Sequence, residues 1–247
     1  MRGNKMKGVI LAGGKGTRLY PMTKVTNKHL LPIYDAPMIY YPIKTLASAG
    51  IKDILIVVGG ESLGDFLKLL GSGKELGVTI TYRVQDGAEG IGAALLLAKE
   101  FVDGDRFMLV LGDNIMEENL GEYAKKFEKG NNGCHLFFKK VHDPERYGTA
   151  EMDGNKLVAI HEKAKNPPTD LCVTGVYLFD PECFDLLPKL KPSGRGEVEV
   201  GSVIQYYIDK GNVTWSMLKD YWTDAGTLES WYDANTMVRN KREKKQK

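Results

Sequence analysis

The stretch GVILAGGKGTR, residues 8–18, begins as an apolar segment and continues into a glycine-rich loop that ends at Arg18. In an open α/β sheet, ligands bind beyond the carboxyl ends of the strands, which is where such a loop would lie. Glycines let the backbone approach a ligand closely and point N–H groups at anionic oxygens, and a guanidinium suits phosphate. The stretch therefore predicts a phosphate-binding loop, with a tight turn that holds no ligand as the alternative.

Two common phosphate motifs do not fit this loop. A Walker A loop needs four residues between its first glycine and the Gly-Lys-Ser/Thr that follows, and GGKGTR lacks that spacing. A dinucleotide fingerprint that starts at Gly14 has Gly16 in place, but Leu19 occupies its third glycine position. The loop therefore matches neither motif.

The segments around the loop predict an α/β fold. Nearly continuous apolar segments, typical of strands that are covered on both faces, alternate with segments of helical spacing. This alternation favours a Rossmann-like, mostly parallel central sheet with helices on both faces. The predicted strands are residues 7–13, 53–60, 78–85 and 106–113, and the predicted helices are residues 37–50, 63–73 and 91–102.

The second half of the chain is richer in predicted strands. Asp153-Gly154-Asn155 supplies the turn of a predicted β-hairpin. The remaining predicted strand regions are 133–141, 148–163, 171–180 and 212–226, and the remaining predicted helices are 198–211 and 228–243. Since the sequence contains no linker or repeat, we predict a single domain over residues 1–247.

The composition excludes several classes of partner. A net charge of +2 is too small to indicate nucleic acid or an anionic membrane. Cys134, Cys172 and Cys183 are widely spaced and form no CxxC pair, which argues against a zinc site or a disulfide framework, and the first two are expected in the core. No apolar run reaches the ~18 residues of a membrane span, and the residues before the first predicted strand contain no apolar h-region of a signal peptide. We expect a cytoplasmic protein.

The longer stretch LAGGKGTRLYPMTKVTNKHLLPIYDAPMIYYPI, residues 11–43, resembles the signature of the sugar-phosphate nucleotidylyltransferases, G-G-x-G-T-R-L-x-P-x-T followed by a lysine. The resemblance covers about residues 6–240 and is greatest to the members that use dTTP and glucose 1-phosphate. It implies the nucleotide-diphospho-sugar transferase fold, with a nucleotide-binding half at about residues 6–130, a sugar-binding half at about 131–240 and a basic tail at 241–247. It also implies a reaction that joins a sugar 1-phosphate to a nucleoside triphosphate and releases pyrophosphate.

Such a reaction brings two polyanions together, so it needs positioned cations and Mg²⁺. The resemblance implies Asp113 and Asp224 as magnesium ligands, although a lone Asp at a strand end more often caps a turn. The implied catalytic residues are Arg18, Lys28, Asp113, Lys163 and Arg195. The implied nucleotide-binding residues are Leu11, Ala12, Gly13, Gly14, Gly16, Thr17, Gln85, Gly90 and Gly112. The implied sugar-phosphate-binding residues are Tyr147, Gly148, Glu162, Lys163, Val173, Gly175 and Arg195.

Several alternatives stay open. Thymine and uracil differ by one methyl group, which gives only ~1–3 kcal/mol of discrimination, so UTP or another hexose 1-phosphate is an alternative substrate. A binding module without catalysis is a further alternative, which loss of the phosphate cations or metal carboxylates would favour. The chain ends before the helices that form an allosteric site in longer members, so we do not expect feedback inhibition. His29 departs from the family pattern and is expected to contact solvent or backbone. The sequence is compatible with a homo-oligomer.

Overall fold

The computed structural model describes residues 5–87, 90–190 and 199–246. The strands are β1 (Lys7–Ala12), β2 (Pro32–Ile33), β3 (Ala36–Pro37), β4 (Asp53–Gly59), β5 (Thr79–Gln85), β6 (Phe107–Leu111), β7 (Asn114–Met116), β8 (Cys134–Lys140), β9 (Gly148–Asp153), β10 (Lys156–Glu162), β11 (Leu171–Phe179), β12 (Val213–Met217) and β13 (Trp222–Asp224). The helices are α1 (Tyr40–Ser48), α2 (Leu63–Leu70), α3 (Gly90–Leu96), α4 (Lys99–Val102), α5 (Gly121–Lys129), α6 (Cys183–Leu186), α7 (Val200–Asp209) and α8 (Leu228–Gln246).

The first half of the chain forms the parallel part of the main sheet. β1 pairs in parallel with β4 and with β6, and β4 pairs in parallel with β5. Side chains of β1 point alternately to the two faces, and both faces are buried, which explains the continuous apolar sequence. The predicted strands of this half are confirmed, and their carboxyl ends lie at one edge of the sheet.

The second half extends this sheet with antiparallel strands. β11 lies antiparallel to β6, and β8 and β9 pair with β11. β9 and β10 form the predicted hairpin, and β12 runs parallel to β8. Separate from this sheet, the short strands β7 and β13 pair with each other in an antiparallel register that sets Asn114 opposite Asp224.

Apolar helix faces cover both sides of the main sheet, as predicted. Ile10 and Ile56 belong to one buried cluster with side chains of α1, α2 and α5, whereas Val9 and Leu55 belong to another with side chains of α3, α6 and α7. A smaller cluster lies between α8, β2 and β7. All three cysteines are buried and free, so the prediction for the core cysteines is confirmed.

Some elements differ from the sequence-based prediction. The predicted helix 91–102 is divided into α3 and α4. The sequence analysis missed α5, in which Ala124 and Phe127 provide a narrow apolar stripe among charged residues. It also missed β7, which has three residues and whose partner strand lies more than a hundred positions later in the sequence. No helix in the described part of the chain has the length and apolar character to cross a bilayer.

Candidate active site

A cavity of about 400 Å³ opens at the carboxyl ends of the parallel strands and extends toward β9, β10 and β11. It brings together residues that lie far apart in the sequence and that were predicted for different parts of the site. The predicted residues that line it are Leu11, Gly13, Gly14, Arg18, Lys28, Gln85, Gly90, Asp113, Tyr147, Gly148, Glu162, Lys163, Val173, Gly175 and Asp224.

Other predicted residues do not line this cavity. The Ala12 side chain is fully buried among core residues, because alternation along β1 turns it away from the face of Leu11. Gly16 and Thr17 do not border the cavity, and a Cβ at Gly16 would lie 2.7 Å from Lys28 Cβ. Gly16 also has a φ of 65° that disfavours other residues. Gly112 packs beneath the neighbouring side chain of His29. Arg195 lies outside the described residues, so its role stays a prediction.

Asp113 lies two residues beyond the end of β6, immediately before β7, and is almost completely buried. Its Oδ2 accepts a hydrogen bond from Lys28 Nζ at 2.6 Å, and its Oδ1 accepts one from Asn114 Nδ2 at 3.0 Å. Burial by itself would raise the pKa of Asp113, but the Lys28 ammonium and these hydrogen bonds hold that pKa well below its usual range. Asp113 is therefore a carboxylate at neutral pH.

Asp224, at the end of β13, faces the same cavity. Its Oδ1 accepts hydrogen bonds from Arg146 Nη2 at 3.1 Å and from the Tyr147 hydroxyl at 3.0 Å. Burial and the nearby carboxylate of Asp113 raise the pKa of Asp224, and Arg146 opposes that shift. Two buried carboxylates thus lie close enough to repel each other, an arrangement that a bound cation would stabilise.

Gly226 lies between these acidic side chains and Arg18. A Cβ atom added at Gly226 would lie 3.1 Å from Asp224 Oδ2, 3.6 Å from Asp113 Oδ2 and 2.9 Å from Arg18 Nη2. Both carboxylates therefore turn an oxygen toward the same small space, and that donor chemistry fits Mg²⁺. In the described part of the chain no group of three or more acidic, His or Cys side chains could hold a metal. Mg²⁺ commonly takes only one or two carboxylates besides water and phosphate oxygens.

Asn114 connects the two acidic residues to the strands around them. Its Oδ1 accepts hydrogen bonds from the backbone N–H of Gly175, at 2.9 Å, and from Trp222 Nε1, at 2.7 Å. Its Nδ2 donates to Asp113, as described above. These hydrogen bonds join β7 to β11 and β13. Asn114 is 2% exposed, so the amide that makes them is buried.

The base of the glycine-rich loop rests on Asn27 and His29. Asn27 Oδ1 accepts hydrogen bonds from the His29 backbone N–H at 2.9 Å and from His29 Nδ1 at 2.7 Å, while its Nδ2 donates to the Ala12 carbonyl at 3.3 Å. Burial and the Lys28 charge lower the pKa of His29 to about 3, so the ring is neutral. His29 was expected to contact solvent or backbone. The solvent contact is wrong because the side chain is buried, whereas the backbone contact is confirmed by a hydrogen bond between the ring and the Ala12 backbone.

At one end of the cavity, Gln85 completes β5 beside the loop. Its Nε2 donates to the Gly90 carbonyl at 3.3 Å, and a Cβ at Gly13 would lie 2.9 Å from its Oε1. The amide is therefore positioned between two backbone segments. A side-chain amide can both donate to and accept from a pyrimidine edge.

At the other end, β9 and β10 hold the residues predicted for the sugar phosphate. The backbone N–H of Lys163 donates to the Tyr147 carbonyl at 3.0 Å, and Lys163 has a φ of 48°, which is unusual for a residue with a side chain. Lys163 Nζ lies 3.7 Å from Glu162 Oε1. The hairpin therefore presents a cation and a carboxylate side by side, next to the backbone of Gly148.

Several residues of this cavity were not predicted from the sequence. Arg146 and Asn114 are adjacent in sequence to the predicted residues Tyr147 and Asp113, so their neighbours were the only signal available. Tyr177, Trp222 and Ile204 also line the cavity. No local sequence pattern distinguishes a core aromatic or aliphatic residue from one at a cavity surface.

The comparisons with known proteins agree with this geometry. A family model described as Nucleotidyl transferase matches residues 7–241. The chain belongs to the nucleotidyl transferase family. The resemblance noted from residues 11–43 is therefore confirmed at the level of the family.

Among its relatives, this nucleotidyl transferase is 41% identical over 237 residues to the glucose-1-phosphate thymidylyltransferase of Neisseria meningitidis serogroup A, with 94% of this chain and 82% of the relative covered. It is 43% identical over 236 residues to the protein of the same name from Xanthomonas campestris pv. campestris, with 94% and 80% covered.

Two solved structures share its fold. One, from Bacillus anthracis, is provisionally assigned as a glucose-1-phosphate thymidylyltransferase in complex with a sucrose. It superposes on this chain with a TM-score of 0.92 at 46% sequence identity, and the match covers 95% of this chain and 96% of that structure's chain. The other is a UDP-glucose pyrophosphorylase complexed with UDP-glucose, with a TM-score of 0.84, 23% identity and coverage of 96% and 100%. The second likeness supports the fold alone.

Proposed function

We propose that this nucleotidyl transferase transfers the nucleotidyl group of dTTP to glucose 1-phosphate, giving dTDP-glucose and pyrophosphate. The observation that carries the proposal is the convergence of two buried carboxylates and several cations on one cavity, in a chain more than 40% identical to proteins named for this reaction. A phosphate oxygen of the sugar phosphate attacks the α-phosphorus, and the bond from that phosphorus to the departing pyrophosphate breaks.

The charged residues of the cavity suit the two polyanionic substrates. Arg18 and Lys28 lie beside the glycine-rich loop, where they would neutralise the triphosphate and the departing pyrophosphate. Lys163 lies on the opposite side, where it would hold the phosphate of the sugar. The reaction needs no general base, because a sugar phosphate is already an anionic nucleophile at neutral pH. These residues would therefore act by positioning and by charge.

Asp113 and Asp224 would hold the Mg²⁺ that members of this family generally use. When bound, Mg²⁺ supplies positive charge that polarises phosphate oxygens. The protein's part is to keep both side chains ionised and turned toward one space. The Lys28 ammonium does so for Asp113, and Arg146 and Tyr147 do so for Asp224.

The uncharged parts of the cavity would select base and sugar. Gln85 presents an amide suited to a pyrimidine edge, and Gly90 offers close access to backbone. Glu162 would accept hydrogen bonds from sugar hydroxyls, beside Gly148 and the apolar side chain of Val173. The edge of thymine that an amide contacts is shared with uracil, so use of UTP is an outcome of the test below.

The test is pyrophosphate release in the presence of Mg²⁺ and glucose 1-phosphate, with dTTP or UTP as the nucleotide. Faster release with dTTP supports the proposal, and equal release indicates a permissive pyrimidine pocket. No release with either nucleotide contradicts it. Asp113→Asn and Asp224→Asn should each abolish release while far-UV circular dichroism stays unchanged, and full activity in either variant would refute the metal assignment.

A further inference from the structure

Both carboxylates that are proposed to hold the metal are already paired with cations of the protein. Lys28 Nζ lies 2.6 Å from Asp113 Oδ2, and the two side chains are 13% and 12% exposed. Arg146 Nη2 lies 3.1 Å from Asp224 Oδ1, with exposures of 27% and 18%. Their low exposure distinguishes them from surface ion pairs, whose stabilising energy is reduced to near zero by solvent. Lys28 holds the Asp113 oxygen that faces the space beside Gly226, whereas Arg146 holds Asp224 Oδ1 and leaves Oδ2 turned toward that space. Each pair therefore competes with another cation for the charge of its carboxylate, most strongly at Asp113.

The competition is most direct at Asp113. Its Oδ2 accepts from Lys28 and its Oδ1 accepts from Asn114, so both oxygens of this carboxylate have a protein donor. A divalent cation at Asp113 Oδ2 would also lie within a few ångströms of the Lys28 ammonium, where like charges repel strongly in a buried site. Metal binding at Asp113 therefore requires Lys28 to leave or its charge to be neutralised.

The position of Lys28 shows where its ammonium can go. A Cβ at Gly14 would lie 3.4 Å from Lys28 Cε and 3.7 Å from Lys28 Nζ, so the end of this side chain already borders the glycine-rich loop. A polyphosphate bound at that loop would attract the ammonium over a short distance by rotation of its flexible stem. The same anion would weaken the repulsion between Lys28 and the metal.

We propose that Lys28, with Arg146 in a parallel role at Asp224, is an internal counter-ion that prevents a divalent cation from binding alone, so that metal and nucleoside triphosphate load together. This inference rests on the proposed function, because it takes Asp113 and Asp224 as the metal ligands. It adds a role for Lys28 before any chemistry occurs and brings Arg146, which the sequence analysis missed, into the loading step.

The test measures binding of Mn²⁺ alone, without nucleotide, from the loss of the free Mn²⁺ signal in electron paramagnetic resonance. Lys28→Met should bind Mn²⁺ about tenfold more tightly than the wild type, a difference of ~1.4 kcal/mol. Adding Asp113→Asn to Lys28→Met should remove that gain. Arg146→Gln provides a second variant in case Lys28→Met fails to fold, and it should also tighten binding.

Lys15→Met is the matched control. Lys15 lines the same cavity and is exposed, and none of the ion pairs between described residues includes it. This variant removes the same unit of charge without breaking an ion pair, so its Mn²⁺ affinity should stay within about twofold of the wild type, since long-range charge effects are screened. An equal gain in Lys15→Met and Lys28→Met would overturn the proposal, as would wild-type affinity in both Lys28→Met and Arg146→Gln.

The results also separate this inference from the proposed function. If the wild type releases pyrophosphate but neither Lys28→Met nor Arg146→Gln gains Mn²⁺ affinity, the counter-ion role is refuted and the proposed function stands. If the wild type releases no pyrophosphate and no variant binds Mn²⁺, the assignment of the metal ligands is refuted and this inference is refuted with it.

Discussion

Replacing Asn114 with alanine should damage both the stability and the activity of this nucleotidyl transferase. The substitution leaves two buried donors, the Gly175 N–H and the Trp222 indole N–H, without their acceptor. Each unsatisfied buried donor costs ~1–3 kcal/mol. We expect a loss of about 3 kcal/mol in the free energy of unfolding, which for a chain of this length lowers Tm by about 6–12 °C.

If Asp113 holds the metal as proposed, the same variant should lower kcat/KM by about 10–100-fold, the usual effect of losing a residue that orients a metal ligand. The reason is that Asn114 Nδ2 also fixes Asp113 Oδ1. Urea unfolding followed by tryptophan fluorescence gives the stability, and pyrophosphate release gives the activity. Asn240→Ala, on the exposed surface of α8, is the control and should change the free energy of unfolding by less than about 0.5 kcal/mol.

A companion variant, Asn114→Asp, separates the two roles of the amide. Its carboxylate can still accept from Gly175 and Trp222, but it cannot donate to Asp113 and places a second negative charge beside it. We expect Asn114→Asp to be more stable relative to wild type at about pH 5 than at about pH 8, because protonation of either carboxyl relieves the repulsion.

A free energy of unfolding for Asn114→Ala that lies within about 0.5 kcal/mol of the wild-type value would refute the account of this network.

Three further predictions concern other parts of the molecule. Burial lowers the pKa of His29 from 6.5 to about 3, so the stability that neutral His29 provides is complete above about pH 6.5 and is lost as the pH falls toward 3. When the pH is lowered from about 7 to about 5, the free energy of unfolding of the wild type should therefore fall by ~2 kcal/mol more than that of His29→Gln. Urea unfolding at the two pH values measures both losses, and equal losses would contradict this. Gly226→Ala would place a Cβ 2.9 Å from Arg18 Nη2, so kcat/KM should fall about tenfold with an unchanged circular dichroism spectrum; wild-type turnover would show that this space is not needed. Lys139 donates to the three carbonyls of turn 218–220, and Lys139→Met should lower Tm by about 2–4 °C in a thermal melt, whereas an unchanged Tm would show that the turn holds without it.

The predictable parts of this molecule are those encoded over short stretches. The buried parallel strands have continuous apolar sequences, and the hairpin at Asp153-Gly154-Asn155 has local turn residues, so both were predicted. The glycine-rich loop was located for the same reason. Which side chains at the end of β1 face the cavity was not predicted correctly: Leu11 faces it, whereas Ala12, next to it, turns into the core.

The parts that were missed depend on partners that are distant in sequence. Asn114 gains its role only because β7 pairs with β13 and Gly175 lies alongside, and no pattern around position 114 contains that information. Arg146 likewise becomes a partner of Asp224 only after the chain has folded. His29 was expected to contact solvent or backbone, and no pattern around position 29 indicated that Asn27 would bond its ring inside the protein.

The pairing of β7 with β13 has a consequence for the order in which the protein can mature on the ribosome. Strands β1, β4, β5 and β6 are complete by residue 111, and domains generally begin to fold from the N-terminus during synthesis. Asp224, however, reaches Asn114 only across a separation of 110 positions in the sequence, and such distant contacts form late. A nascent chain can therefore assemble its parallel sheet long before translation delivers the second carboxylate. Until then the proposed metal site has only one of its two carboxylates.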